Sequence, residues 1–165
     1  MIRRTTLFGL GAVAALWAGA RGVFSGSPAQ AAQAARIYEV TKADADWKTQ
    51  LQANQYRVLR AAGTEAPYTS PLNKEKRGGV FTCAGCALPL FSSKTKFESG
   101  TGWPSFWQPL SDAVVEDTDT TLFMKRTEVL CRRCGGHLGH VFEDGPKPTG
   151  LRYCMNGVAM NFAPG

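Results

Sequence analysis

Two Cys-x-x-Cys pairs constrain the fold of this 165-residue chain more than any other feature. Cys83 and Cys86 form the first pair, Cys131 and Cys134 form the second, and 44 residues separate the two. Each tight turn presents two thiolates, and four thiolates in a tetrahedron are the ligand set that a structural zinc ion prefers. The pairs therefore predict one structural zinc ion per chain, which would cross-link distant segments instead of closing a small finger.

Paired cysteines also serve other chemistries. Neither pair is followed by histidine, which excludes covalent haem attachment. A thioredoxin-like redox pair needs a βαβ context that the sequence pattern lacks. Local disulfides within each pair remain an alternative, because an exported chain meets an oxidising compartment.

Residues 1–34 have the pattern of an export signal. Arg3 and Arg4 precede an apolar run from Leu7 to Ala20, which is too short to span about 30 Å of hydrocarbon, and Ala-x-Ala cleavage sites follow. The paired arginines resemble a twin-arginine signal, with a Sec signal or a retained anchor as alternatives. We therefore expect export, to the periplasm of a bacterium, and a functional domain over residues 35–165.

The net charge of +6 does not indicate a nucleic-acid-binding protein. Three of the 19 Lys and Arg residues lie in residues 1–34, so 16 basic residues accompany 13 acidic ones in the rest of the chain. A zinc ion with four thiolates would add about two negative charges. Because the remaining basic residues form no patch, we expect no nucleic-acid partner.

The rest of the sequence predicts a mainly β fold, in which antiparallel sheets form a small sandwich or barrel-like domain after N-terminal helices. Thr41 is the predicted cap of a helix that carries Trp47 and Leu51 on one face, and a second helix is predicted over 53–61. From Gly79 onward, short apolar runs between turn residues predict closely spaced strands, which favours antiparallel pairing. These runs are 80–82, 113–115, 121–124, 128–130, 141–142 and 151–155.

Cys154 is the cysteine left over once the two pairs are assigned. In an extended segment Arg152, Cys154 and Asn156 share one face, whereas Tyr153 and Met155 face the core. A nearby cation favours the thiolate, which is the nucleophilic form of cysteine. The alternative is a buried and inert thiol.

The chain's two histidines, His137 and His140, lie in a glycine-rich segment. Histidine exchanges protons near neutral pH, so both are candidates for acid–base catalysis, with a structural role or extra metal ligation as alternatives. Trp103 lies in a second glycine-containing loop, where it either lines a site or packs in the core.

Together these segments resemble the B-type methionine sulfoxide reductases, which reduce methionine-R-sulfoxide. The similarity runs from Tyr38 to Phe162, and its matching segments are 55–58, 63–65, 96–106, 136–146 and 152–156. The resemblance implies that residues 35–165 form a reductase domain of antiparallel sheets. It also implies that one structural zinc ion is held by Cys83, Cys86, Cys131 and Cys134.

The resemblance implies a chemical role for several side chains. Cys154 would attack the sulfoxide sulfur, while His137, His140 and Asn156 would polarise and protonate its oxygen, directly or through water. A sulfoxide oxygen leaves poorly until it is protonated, which is why an acid is required. The attack would leave methionine and a sulfenic acid on Cys154.

Three further side chains would surround the substrate: Trp103 would pack against its methyl group, with Phe142 nearby and Arg152 close to the thiol. Thr101 occupies the position at which many relatives have a second, disulfide-forming cysteine. Recycling would therefore use an external thiol such as thioredoxin. The expected substrates are oxidised proteins that carry methionine-R-sulfoxide.

Two other functions stay open at this point. A non-enzymatic zinc-ribbon module would account for the four paired cysteines but not for the histidine segment or Cys154. A thiol peroxide reductase would use the same sulfenic acid chemistry on a different oxidant.

Overall fold

A computed structural model of the protein describes residues 36–120 and 125–165. The predicted export signal, residues 1–34, and the predicted strand 121–124 lie outside the described residues. Residues 37–165 form one structural unit. Within the described part of the chain, no helix is long and apolar enough to cross a membrane.

Two short helices open the domain, α1 (Asp44–Gln50) and α2 (Ala53–Leu59). The expectation that Thr41 caps the first helix is wrong. Its hydroxyl donates to the Tyr38 carbonyl at 3.2 Å, and the helix begins after Ala43 instead. The two acidic side chains in the first turn of α1 favour this start, because negative charge stabilises a helix N-terminus.

Two antiparallel sheets follow the helices, which confirms the mainly β fold. The three-stranded sheet has the order β2 (Pro89–Ser92), β1 (Gly79–Cys83), β9 (Met160–Pro164). The six-stranded sheet has the order β3 (Lys96–Phe97), β4 (Ser105–Phe106), β8 (Arg152–Met155), β7 (His137–Phe142), β6 (Arg126–Cys131), β5 (Val114–Asp119).

Aromatic side chains join the two sheets. Phe91 of β2 stacks on Phe106 of β4 with ring centres 4.4 Å apart, and Phe81 of β1 meets the same ring edge-on at 4.9 Å. All three rings are fully buried. Such pairs add about 0.5–1.5 kcal/mol each to the free energy gained by burying their area, so they hold the sheets in a defined relation.

This core determines which way the side chains of β8 point. Tyr153 and Met155 are buried, and the Tyr153 ring lies 5.9 Å from that of Phe91. Because successive side chains of a strand point to opposite faces, Cys154 faces away from the core. The predicted alternation along β8 is confirmed for these residues.

Candidate active site and metal centre

Four cysteine sulfurs gather at one point of the domain. Cys83 Sγ lies 3.7 Å from Cys134 Sγ, Cys86 Sγ lies 3.5 Å from Cys131 Sγ, and all four sulfurs lie within 4.8 Å of one another. A tetrahedral zinc ion with Zn–S bonds of about 2.3 Å holds its sulfurs about 3.8 Å apart. The four thiols are therefore placed to hold one metal ion, as the spacing predicted, and none is in a disulfide.

The two Cys-x-x-Cys turns have the same backbone geometry. In each, the residue after the second cysteine has a positive φ, 58° at Ala87 and 67° at Gly135. Each of these residues donates its N–H to the carbonyl of the first cysteine, Cys83 or Cys131, at 2.8 Å. Because β1 and β6 belong to different sheets, a metal ion held by both turns cross-links the two sheets.

The helices cover this metal centre. Trp47 of α1 is buried and lies against the first turn, where a Cβ at Gly85 would be 3.5 Å from its ring. The Arg60 guanidinium lies 4.9 Å from the centre of the Trp47 ring and donates to the Cys134 carbonyl at 3.0 Å. The apolar face predicted for the first helix therefore packs on the metal centre.

A cavity of about 120 Å³ lies at a separate place, above the six-stranded sheet. It brings together five of the predicted site residues: Trp103, His140, Phe142, Cys154 and Asn156. The other residues that line it are Thr64, Arg126 and Gly139.

Strand register explains why these side chains meet. Cys154 on β8 pairs directly with His140 on β7 and with Ser105 on β4. Directly opposed residues of antiparallel strands have Cβ atoms about 4.5–5.5 Å apart on the same face of the sheet. Gly139 permits this close approach, since a Cβ there would lie 2.2 Å from the Cys154 carbonyl.

Arg152 is buried at the margin of the site instead of lining the cavity that the described residues form. Its guanidinium donates two hydrogen bonds of 2.8 Å to Asp144 and lies 4.3 Å from the centre of the Phe142 ring. The Asp144 carboxylate raises the pKa of Arg152, and the charge on Cys154 acts in the same direction. Arg152 thus keeps a fixed positive charge near the thiol.

Both histidines are backed by carboxylates. His137 Nδ1 lies 2.5 Å from Glu128 Oε1, and His140 Nε2 lies 2.8 Å from Asp119 Oδ2. The two imidazole rings are 5.4 Å apart, edge to face. Burial lowers the pKa of His140, and the hydrogen bond that His140 donates to Asp119 opposes this shift.

His137 does not line the cavity formed by the described residues, although its ring adjoins that of His140. It is buried, and within the described part of the chain its Nε2 atom has no hydrogen-bond partner. A buried imidazole nitrogen without a hydrogen-bond partner costs free energy.

Comparison with known proteins agrees with this geometry. The SelR domain model matches residues 51–164. The peptide methionine sulfoxide reductase MsrB of Leptospira interrogans is 56% identical over 126 residues, which are 76% of this chain and 96% of that protein. The chain belongs to the B-type peptide methionine sulfoxide reductase family.

Other relatives with the same description show the same extent of similarity. The protein of Methanosarcina mazei is 56% identical over 125 residues, which are 75% of this chain and 89% of that protein. The protein of Agrobacterium fabrum is 54% identical over 127 residues, 76% of this chain and 94% of that protein. Membership of this reductase family makes the chain an enzyme and leaves no place for the non-enzymatic zinc-ribbon alternative.

In this B-type reductase, Glu65 connects two walls of the cavity. Trp103 Nε1–H donates to the Glu65 carbonyl at 3.1 Å, and the Glu65 N–H donates to Asn156 Oδ1 at 2.9 Å. The buried Glu65 carboxylate accepts the N–H groups of Gly157 and Val158, the latter at 3.3 Å. One residue thereby ties the Trp103 loop to the turn that follows Cys154.

The same contacts determine the orientation of the Asn156 amide. Oδ1 accepts from the Glu65 N–H, and Nδ2 donates to the Leu138 carbonyl at 3.0 Å. Because a carbonyl cannot donate and an N–H cannot accept, the two ends of the amide cannot be exchanged. That contact uses one of the two N–H groups of Nδ2, and Asn156 lines the cavity.

Sequence reasoning assigned no role to Glu65, Asp119, Arg126 or Glu128. Arg126 lines the cavity and donates to Asp119 at 2.6 Å, so it belongs to the same cluster as His140. The segment 63–65 carried part of the family resemblance, and it was the available signal for Glu65. The acidic residues of β5 and β6 offered no signal, because exposed strand positions are commonly charged.

Proposed function

We propose that this chain reduces the R epimer of protein-bound methionine sulfoxide through nucleophilic attack by the Cys154 thiolate. The observation that carries the proposal is the cavity in which Cys154 faces His140 across paired strands, with Trp103 on its wall. A nucleophile, a proton donor and an apolar surface for a methyl group are thereby present within one small space.

In the proposed reaction, the Cys154 sulfur attacks the sulfoxide sulfur while the sulfoxide oxygen takes up a proton. The attack forms a bond between the two sulfurs. That bond and the S–O bond of the substrate then break as the protonated oxygen passes to Cys154, giving methionine and a cysteine sulfenic acid. The substrate sulfur is reduced by two electrons and the cysteine sulfur is oxidised by two. Methionine then leaves, and the sulfenic acid must be reduced before the next cycle.

The proton comes from the imidazole pair in this proposal. Each ring has a carboxylate on one nitrogen, Glu128 at His137 and Asp119 at His140. An imidazole that is oriented by a carboxylate on one nitrogen can give the proton on its other nitrogen to the developing oxyanion, directly or through water. The second N–H of Asn156 Nδ2 supports this step, because it can donate to the same oxygen.

Recognition of the substrate rests on shape. Trp103 and Phe142 give the cavity two aromatic surfaces, against which a methyl group and a polarisable sulfur pack favourably. The Trp103 ring is held by its hydrogen bond to Glu65, so its position is defined before substrate binds.

We also propose that an external thiol such as thioredoxin regenerates the enzyme. The chain has five cysteines, and the other four form the metal centre. Thr101 Oγ1, not a sulfur, lies 3.7 Å from Cys154 Sγ. A first external thiol would form a mixed disulfide with release of water, and a second would release the Cys154 thiol.

The decisive experiment measures turnover of separated R and S epimers of a methionine sulfoxide peptide, with hydrogen peroxide assayed in parallel. We expect reduction of the R epimer alone. Equal use of both epimers would contradict the proposed recognition, and preferential use of peroxide would support the thiol peroxide reductase.

A single-turnover experiment tests the regeneration step. After one equivalent of substrate without reductant, a dimedone-type reagent should label Cys154, and mass spectrometry should show no internal disulfide and no loss of metal. An internal disulfide to Cys154 would contradict the proposed recycling by an external thiol.

Zinc is the proposed occupant of the four-thiol centre, with a structural role. A closed set of four thiolates suits zinc and leaves no coordination position open for a substrate. Metal analysis of protein purified without added zinc should find about one zinc ion per chain.

Export is proposed from the composition of residues 1–34, which combine paired arginines with a short apolar run. Fractionation of cells that express the full chain, with an Arg3→Lys, Arg4→Lys variant, would show whether the protein is exported and whether the arginines direct it.

A further inference from the structure

Three hydroxyl groups form a chain that ends at the catalytic sulfur. Thr101 Oγ1 lies 3.7 Å from Cys154 Sγ and 2.8 Å from Ser99 Oγ. Ser99 Oγ lies 2.7 Å from Ser105 Oγ, which in turn donates to the Trp103 carbonyl at 3.1 Å. The chain therefore runs from the thiol to a main-chain acceptor.

Each of these hydroxyls has one proton to donate, which restricts the ways in which the chain can be satisfied. When Cys154 is a thiol, its S–H can donate to Thr101, Thr101 to Ser99, Ser99 to Ser105, and Ser105 to the carbonyl. Each of the four contacts is then a complete hydrogen bond with one proton.

Loss of the thiol proton to solvent requires the opposite arrangement, because a thiolate can only accept. Thr101 then donates to the sulfur, Ser99 donates to Thr101, and Ser105 donates to Ser99. The three contacts nearest the sulfur stay satisfied, and only the last one, to the Trp103 carbonyl, is given up. Aligned hydroxyls polarise one another, so the donor that reaches the thiolate is strengthened by the two behind it.

We propose that the chain Thr101–Ser99–Ser105 is part of the catalytic apparatus and stabilises the Cys154 thiolate by reversing its hydrogen bonds when the thiol ionises. Thr101 touches the reacting sulfur and is a catalytic residue. Ser99 and Ser105 act through Thr101 and are positioning residues. The proposal rests on the proposed role of Cys154 as the nucleophile.

Other charged groups lie around Cys154, and they are the same in every hydroxyl variant. Arg152 lies on the same strand, His140 on β7, Arg126 on β6, and Glu65 on the segment that holds the following turn. Arg152, His140 and Glu65 have hydrogen bonds to Asp144, Asp119 and Gly157, outside the hydroxyl chain. Removing a hydroxyl therefore leaves these contacts in place.

The experiment measures the rate at which Cys154 of the purified chain is alkylated by iodoacetamide as a function of pH, using mass spectrometry of the peptide that contains it. Thr101→Val removes the first hydroxyl at nearly constant shape. We expect it to raise the pKa of alkylation by about one unit, which is tenfold less thiolate at a pH below both values. The Thr101→Ser variant retains the hydroxyl, so its Cys154 should be alkylated with the same pH dependence as in the unchanged protein.

The variant Ser99→Ala tests whether the whole hydroxyl chain, and not only the contact between Thr101 and Cys154, stabilises the thiolate. This variant leaves Thr101 in place but removes the hydroxyl that donates to it. We therefore expect the pKa of alkylation to rise, but by less than in Thr101→Val. Ser93→Ala is the matched control, because the Ser93 hydroxyl accepts the Gly79 N–H at 3.0 Å, at the start of β1 in the other sheet. It should not change the alkylation profile.

The outcomes separate clearly. The proposed hydroxyl chain is contradicted if Ser99→Ala leaves both the alkylation profile and the thermal stability unchanged. A shift of the alkylation profile in Ser93→Ala that equals the shift in Ser99→Ala would contradict it as well. If Thr101→Val does not fold, Ser99→Ala alone decides. Because alkylation needs no substrate, an enzyme that shows these shifts but fails to reduce the R epimer would contradict the proposed function and leave the hydroxyl chain standing.

Discussion

Cysteine has two different roles in this protein, and the groups around each cysteine determine which role it has. At the metal centre, each sulfur lies among three other sulfurs, all within 4.8 Å, and three of the four cysteines are buried. In the cavity, Cys154 is half-buried, lies beside the Thr101 hydroxyl and faces the His140 imidazole across paired strands. A thiol among thiols can hold a metal ion, whereas a thiol among hydrogen-bond donors is suited to react.

The two regions also differ in how the chain builds them. The metal centre consists of two copies of one local turn, each closed by its own backbone hydrogen bonds. The cavity takes residues from five segments. The register of the six-stranded sheet brings three of them together, and the contacts of Glu65 join the other two to them. Changes at the metal centre should therefore affect stability, and changes around the cavity should affect turnover.

The largest expected effect is that of Cys154→Ser. A serine hydroxyl at neutral pH is a far weaker nucleophile than a thiolate, so R-sulfoxide turnover should fall by more than about 1,000-fold. Metal content and melting temperature should stay unchanged, as measured by metal analysis and calorimetry. A large loss of stability would show instead that Cys154 has a structural role.

Cys131→Ser should have the opposite profile. Loss of one of four ligands weakens metal binding, and metal binding contributes directly to folding. We expect loss of bound metal and a fall in melting temperature of about 10 °C or more, which corresponds to about 3 kcal/mol for a domain of this size. Cys154→Ser is the control, and retention of both metal and stability by Cys131→Ser would refute the assigned role.

His140→Ala should lower kcat by about 100-fold, the usual scale for loss of a general acid. The side chain lines the cavity and contributes little to the core, so melting temperature should change by only a few degrees. Steady-state kinetics on the R epimer would measure the effect. A variant with full turnover would remove His140 from the mechanism.

Glu65→Gln should lower kcat by about tenfold with a smaller change in KM. The amide has one oxygen where the carboxylate has two, so it cannot accept from both Gly157 and Val158, and the contacts that orient Trp103 and Asn156 loosen. Glu75→Gln is a matched control, because Glu75 pairs with Arg77 and does not line the cavity. An equal loss of kcat in both variants would show that the effect of Glu65 is not specific.

The smallest expected effect is a pH shift in Asp119→Asn. Burial holds the pKa of His140 below its usual 6.5, and Asp119 opposes this shift. Without the carboxylate the pKa falls further, so protonated His140 is lost at a lower pH. The limb along which kcat falls with increasing pH should therefore move to lower pH, as a pH profile of kcat would show. A shift to higher pH would contradict the proposed proton donor.

Comparison of the sequence with the structure shows which features were predictable. The four metal-site cysteines are confirmed as a cluster that could hold a metal ion, because two short turns with a fixed spacing carry the whole signal. The alternation at Tyr153, Cys154 and Met155 is confirmed for the same reason, since a two-residue period is a local property. The short strands β2, β3, β4 and β9 were not predicted, because runs of two to five residues carry little pattern of their own.

The sequence by itself determined the family, the metal-site cysteines and the identity of the single remaining thiol, because each depends on residue type and spacing along the chain. Only the tertiary structure decided that Glu65 holds Trp103 and Asn156, that Asp119 and Glu128 back the two histidines, and that Thr101 begins a line of hydroxyls. The contacts of Glu65 and Asp119, and the contact of Thr101 with Cys154, join residues 21 to 91 positions apart in the sequence. Strand register and sheet packing bring them together, and no local pattern records where a distant strand will pair.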